Sequence, residues 1–71
     1  MKLTVNGETM ELVGVRTVAD LLEKLRLGAA AGGRRVAVAV NLQVVPQAEH
    51  DRSPLQEDDQ VEIIQAVGGG S

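Results

Sequence analysis

The chain closes on "AVGGGS", and its glycines, Gly68, Gly69 and Gly70, are the residues whose type and spacing could do chemistry. By composition alone they read as a linker, because glycine loses more freedom on ordering than any other residue and chain ends are commonly mobile. Their position supports a second reading. The strand-like "QVEIIQAV" leads straight into them, so about four residues from Val67 onward would project roughly 13 Å beyond a sheet. Backbone without Cβ atoms fits a narrow enzymatic slot. A terminal carboxylate, with a pKa of about 3.5, is ionised at neutral pH. It can attack the α-phosphorus of ATP to give an acyl-adenylate, from which a sulfur nucleophile can displace AMP. Ser71 departs from that scheme: as written, the chain ends on serine and cannot present a glycine carboxylate. It is read as a cloning remnant or as a residue to be removed by proteolysis.

Other reactive side chains are sparse. His50 lies in a polar stretch between Glu49 and Asp51 and reads as a solvated loop residue, outside any convergent acid–base pair. Glu57, Asp58 and Asp59 lack the spaced oxygen ligands of a calcium loop and read as the turn before the last strand, with some capacity to steer a basic partner. Arg34 and Arg35 are too few for a nucleic-acid patch.

Composition narrows the classes further. The 71 residues carry a net charge of −3 and contain no Cys, one His and no Phe, Tyr or Trp. One small domain follows, with neither disulfides nor a structural metal to reinforce it. A core without aromatics must be built from eleven valines, eight leucines, two isoleucines and some of eight alanines. Nucleic-acid binding is disfavoured by the acidic balance and by the lack of stacking side chains. No stretch approaches the roughly 20 apolar residues of a membrane span, and the N-terminus lacks a signal-peptide layout. A cytoplasmic location is the expectation.

The elements that must position the glycines can be read from periodicity. "KLTVN" alternates, with Leu3 and Val5 on one face, and "TMELV" resumes after Asn6-Gly7, a strong hairpin cue, with Met10 and Leu12 on one face. In "RTVADLLEKLRLG" the apolar residues Val18, Leu21, Leu22 and Leu25 share one helix face. Thr17 is placed as N-cap with Asp20 completing a near capping box, and Gly28 is placed to end the helix. "GAAAGG" (28–33) reads as a flexible connection. "RRVAVAVN" sets Val36, Val38 and Val40 against Ala37 and Ala39. "NLQVVP" supplies a turn and a short strand stopped by Pro46, "QAEHDRSPLQEDD" reads as a loop with one helical turn around Ala48 to His50, and "QVEIIQAV" is the last strand.

Two strands, a helix, two strands, a loop and a strand make an α+β domain: a four- to five-stranded mixed sheet with one helix on one face. The expected division is a domain over residues 1–67 and a tail over 68–71. Directing Val61 and Ile63 at the helix sends Ile64 and Ala66 to the opposite face, where Ala37 and Ala39 join them as a candidate partner-docking strip.

In order and spacing, "LTVNGE", "TVADLLEKL", "VAVAVNLQVVP", "LQEDDQVEII" and the diglycine end resemble the ThiS sulfur carriers of thiamin thiazole synthesis, within the ubiquitin-like β-grasp group. The likeness covers nearly the whole chain. It implies a non-catalytic carrier, monomeric when alone and holding no cofactor, whose glycine carboxylate is activated with ATP by an E1-like adenylating partner (ThiF). A sulfur relay protein would then supply persulfide sulfur, and a thiazole synthase (ThiG) would take the sulfur from the resulting thiocarboxylate. By position the reactive glycine is Gly70 with Gly69 beside it, or Gly69 itself if the native end is "VGG". The nearest rivals are carriers for molybdopterin, cysteine or tRNA thiolation and a ubiquitin-like modifier. Molybdopterin carriers typically place aromatic and proline residues just ahead of the diglycine, and "IIQAV" has neither. A different class is a β-grasp binding module with inert glycines.

Overall fold

The computed structural model describes residues 1–27 and 36–65. The expected connection over 28–33, Arg34, Arg35 and everything from Ala66 to Ser71 lie outside the described residues. The elements are β1 (Lys2–Val5), β2 (Glu8–Glu11), α1 (Val18–Lys24), β3 (Val36–Val40), β4 (Gln43–Val45), a short 3₁₀ helix (Gln47–Arg52) and β5 (Gln60–Gln65). The strands form one five-stranded sheet in the order β2-β1-β5-β3-β4. Only β1 and β5, at its middle, run parallel; the other neighbours are antiparallel. This is the expected α+β arrangement, a mixed sheet with one helix packed on one face.

The first hairpin turns on Asn6 (φ 51°) and Gly7 (φ 83°). Positive φ at both central residues matches the right-handed twist of the flanking strands, and Asn-Gly adopts it at low cost. The second hairpin, between β3 and β4, repeats the geometry at Asn41 (φ 51°) and Leu42 (φ 71°). Here a leucine stands where glycine would be unstrained.

The helix starts as its capping residues dictate. Thr17 is extended, its hydroxyl accepts from the Asp20 amide at 3.2 Å, and the Asp20 carboxylate accepts from the backbone amides of Thr17 (3.2 Å) and Arg16 (3.0 Å). Three amide donors at the helix entrance are thereby satisfied. The helix ends earlier than expected, at Lys24, with Arg26 in the left-handed conformation at φ 61°; Gly28 lies outside the described residues. The Leu27 amide donates to the Leu22 carbonyl (2.7 Å) and the Arg26 amide to the Glu23 carbonyl (3.0 Å), the paired bonds of a Schellman ending. That ending turns Leu27 back onto the core, a gain that offsets the left-handed cost at Arg26.

The core lies between the helix and one sheet face. Leu3, Val5, Val38, Val61 and Ile63 meet Val18, Leu21 and Leu22, all buried, while Met10, Leu12, Leu25, Val36 and Val40 pack at its edge. Val15 and Leu55 also belong to it, although neither sits in a periodic segment. The segment between β4 and β5 brings Leu55 there. Thr17 bridges Pro54, the Val18 amide donates to the Ser53 carbonyl (3.0 Å), and the Leu55 amide donates to the Arg16 carbonyl (2.7 Å).

Candidate functional site

The strand that leads toward the glycines is β5, and it is gripped from both sides. On the β3 side its register runs from Val40↔Val61 through Ala37↔Ile64 to Val36↔Gln65. On the β1 side the pairing is shorter, Thr4↔Gln60 and Val5↔Val61, because β1 turns away at Asn6. The Asn6 side chain continues what the backbone leaves off. Its Oδ1 accepts from the Ile63 amide at 2.8 Å and its Nδ2 donates to the Ile63 carbonyl at 3.2 Å. A carboxamide offers the same donor and acceptor as a peptide unit, so the ladder gains one more pair beyond the end of β1.

Asn41 performs the equivalent service where β5 begins. Its Oδ1 accepts from the Gln60 amide (3.1 Å), its Nδ2 donates to the Asp59 carboxylate (3.0 Å), and its own amide donates to the Gln60 carbonyl (2.7 Å). From the sequence alone both asparagines are turn cues. The repeated Asn at the first turn position was the available signal, but only the sheet order places both turns against the same strand.

The residues expected to form a docking strip lie on the sheet face away from the helix. Ala37 lies opposite Ile64, and Ala39 lies opposite both Glu62 and Val44. Ile64 is 68% exposed, Ala37 is exposed and Ala39 half-buried, so these three expected residues do share one uncovered face; Ala66 lies outside the described residues. Val44, 76% exposed, extends the strip and was not anticipated. Its alternation with the more buried Val45 was the signal for it. Glu62 puts a carboxylate beside the alanines.

The remaining candidates resolve into structural roles. His50 is buried rather than solvated, at 7% exposure. Its Nε2 lies 3.1 Å from the Val45 carbonyl oxygen, which can only accept, so Nε2 carries the proton. The 3₁₀ helix turns the ring inward, and the polar neighbours that suggested a solvated loop, Glu49 and Asp51, are the residues that point out. Glu57, Asp58 and Asp59 form the turn before β5, as expected. Asp59 Oδ2 accepts from the Gln56 amide (2.8 Å), Glu57 accepts from the Lys2 amide (3.1 Å), and Asp58, at φ 69°, faces the Lys2 ammonium at 3.7 Å. Among the described residues, no group of three or more His, Cys, Asp or Glu is placed to hold a metal ion, and no helix is long and apolar enough to cross a membrane.

Comparison with known proteins decides the family of this chain. The ThiS family model matches residues 3–70. This chain belongs to the ThiS family. The sulfur carrier protein ThiS of Escherichia coli (strain K12) is 31% identical over 70 residues, a span covering 99% of this chain and all of that protein. The crystal structure of thiamine biosynthesis protein ThiS from Geobacter metallireducens superposes with a TM-score of 0.76 at 32% identity, covering 99% of this chain and 100% of the other. A thiazole synthase from Paramagnetospirillum magneticum is 37% identical over all 71 residues, and one from Magnetococcus marinus is 37% identical over 70. The chain spans only about a fifth of the length of these two, 21% and 20%. The β-grasp architecture expected from the ThiS resemblance is thus the observed one.

Proposed function

We propose that this ThiS-family chain is a sulfur carrier for thiazole formation in thiamin synthesis, a protein cosubstrate rather than an enzyme, with Gly70 as its reactive residue and Gly69 and Gly68 as the arm behind it. The observation that carries the proposal is the family match, which runs through residue 70 and so includes the glycines. The geometry of β5 and its neighbouring strip supports it.

In the proposed cycle, an E1-like adenylating enzyme of the ThiF kind binds the face of Ile64, Ala37 and Ala39, with Ala66 continuing it. A carboxylate oxygen of the glycine attacks the α-phosphorus of ATP, and pyrophosphate leaves. The outer sulfur of a persulfide on a relay protein then attacks the acyl carbon and AMP leaves. A thiol reduces the resulting acyl disulfide, leaving a thiocarboxylate. The sulfur passes to a thiazole synthase of the ThiG kind, a partner supported by the full-length likeness of this chain to a fifth of two thiazole synthases. The carrier itself holds no cofactor, since ATP belongs to the partner, and it works as a cytoplasmic monomer between encounters. Residues 1–67 form the domain and 68–71 the tail.

The test is incubation with a ThiF-like enzyme, ATP and a sulfur donor, followed by intact-mass analysis of chains ending at Gly69, Gly70 and Ser71. The proposal expects the oxygen-to-sulfur mass increase on the chain ending at Gly70. Conversion only of the chain ending at Gly69 moves the reactive residue there. No adenylate or thiocarboxylate on any of the three leaves an inert β-grasp module. Thiocarboxylate that a thiazole synthase rejects but another sulfur acceptor consumes reassigns the pathway.

A further inference from the structure

We propose that Asn6 is a positioning residue for the adenylation step: its carboxamide fixes the direction in which β5 hands the chain to the glycines. The inference rests on the carrier reading above and adds to it a residue outside both the tail and the docking strip.

Three observations carry it. First, β1 stops pairing with β5 at Val5↔Val61, whereas β5 continues to Gln65, so among the described residues the last part of β5 is paired by backbone on the β3 side only. Second, the Asn6 carboxamide occupies both hydrogen-bonding groups of Ile63, donating to its carbonyl and accepting from its amide, which makes it the last restraint from the β1 side among the described residues. Third, Asn6 is itself held, since its backbone amide donates to the Val61 carbonyl at 2.9 Å and its φ of 51° is set by the hairpin. The carboxamide therefore projects from a rigid turn. A strand held along one edge only is free to twist and splay about that edge. Four residues lie between Ile63 and Gly68, so a change of direction at Ile63 shifts the point from which the chain continues toward the glycines.

This separates two functions in one strand. Docking depends on Ile64, Ala37, Ala39 and Val44, whose arrangement is set by the β3 pairing that Asn6 does not touch. Aim depends on Asn6. Loss of the carboxamide should leave encounter with the adenylating enzyme intact and lower the fraction of bound chains with the carboxylate in line for attack, and so act on kcat rather than KM.

Asn41 supplies the control. It sits at the same φ, in the matching hairpin, and binds β5 at Gln60, the end remote from the glycines. Asn6→Gly and Asn41→Gly both keep the turn geometry, because glycine adopts positive φ freely, and each deletes one carboxamide from β5. The experiment measures kcat and KM for ATP-dependent adenylation of the chain ending at Gly70, with thermal midpoints and hydrogen exchange at Ile63 for the full chain. Asn6→Gly is expected to lower kcat on the order of tenfold to a hundredfold at nearly constant KM, as misplacement of a reacting group by about 1 Å does. It should also accelerate exchange at the Ile63 amide. Asn41→Gly should leave kcat near the parent value, even with an equal fall in thermal midpoint. Asn6→Asp, which accepts from the Ile63 amide but cannot donate to its carbonyl when ionised, should fall between Asn6→Gly and the parent chain. It is read in place of Asn6→Gly if that variant unfolds at the assay temperature. Equal kcat losses in Asn6→Gly and Asn41→Gly, or a loss confined to KM, would overturn the positioning role. Failure of the parent chain to be adenylated would instead overturn the carrier reading on which it rests.

Discussion

Leu42 is the point where local chemistry and backbone geometry disagree, and replacing it tests the account of the second hairpin. The residue holds φ 71° and is 87% exposed, so leucine bears the left-handed cost with little packing in return. That cost is about 1–2 kcal/mol for an L-residue with a Cβ. Glycine removes it but loses more freedom on folding, by roughly 0.5–1 kcal/mol. The difference leaves Leu42→Gly more stable by about 0–1.5 kcal/mol, centred on ~0.75 kcal/mol. For a domain of this size 1 kcal/mol moves the thermal midpoint by about 4–8 °C, so a rise centred on roughly 3–6 °C is expected. With no aromatic residues the chain has neither tryptophan fluorescence nor near-ultraviolet aromatic dichroism, so far-ultraviolet circular dichroism or calorimetry is the suitable assay. Leu42→Ala is the decisive companion, because it removes most of the exposed apolar surface yet keeps the Cβ. Its midpoint should stay close to the parent's. An equal rise in Leu42→Ala would show that relief of exposure, not of backbone strain, governs the site. A fall in Leu42→Gly would refute the strain argument altogether.

Three further outcomes follow from the same structure. Thr17→Ala removes the N-cap hydroxyl and should destabilise by about 1 kcal/mol in denaturant unfolding; paired with Asp20→Ala, the two losses should be non-additive because the residues form one reciprocal box. His50→Ala leaves the Val45 carbonyl without its side-chain donor and a space at the 3₁₀ helix, and should cost about 1–3 kcal/mol, whereas substitution of exposed Gln47 should be nearly silent. Ile64→Asp, on the uncovered face, should change the thermal midpoint little and raise KM for adenylation at unchanged kcat. The opposite partition, kcat reduced at constant KM, would remove Ile64 from the docking strip.

Much of the fold is legible in the chain because its segments carry unambiguous local signals. Alternation in "KLTVN" and "VAVAV", the i, i+3, i+4 spacing of Val18, Leu21 and Leu22, the Thr17–Asp20 box and the Asn6-Gly7 turn each depend on neighbours within a few residues. Local sterics and hydrogen bonding decide them. The period of two likewise sends Ile64 and Ala37 to the face opposite Ile63 and Val38 once the core side is chosen. Features that depend on distant segments were not legible. His50 is buried because the 3₁₀ helix folds against Val45, which its polar neighbours cannot announce. Leu55 enters the core because its backbone pairs with Arg16, and Arg26 ends the helix because Leu27 finds apolar cover there. The parallel pairing of β1 with β5 joins residues more than fifty positions apart, and only that pairing sets the Asn6 carboxamide against Ile63. Sequence by itself determined the elements, their inward faces and the glycines at the end. Tertiary structure decided which residues hold the strand before those glycines, because a hydrogen bond between distant segments exists only after the sheet has brought them together.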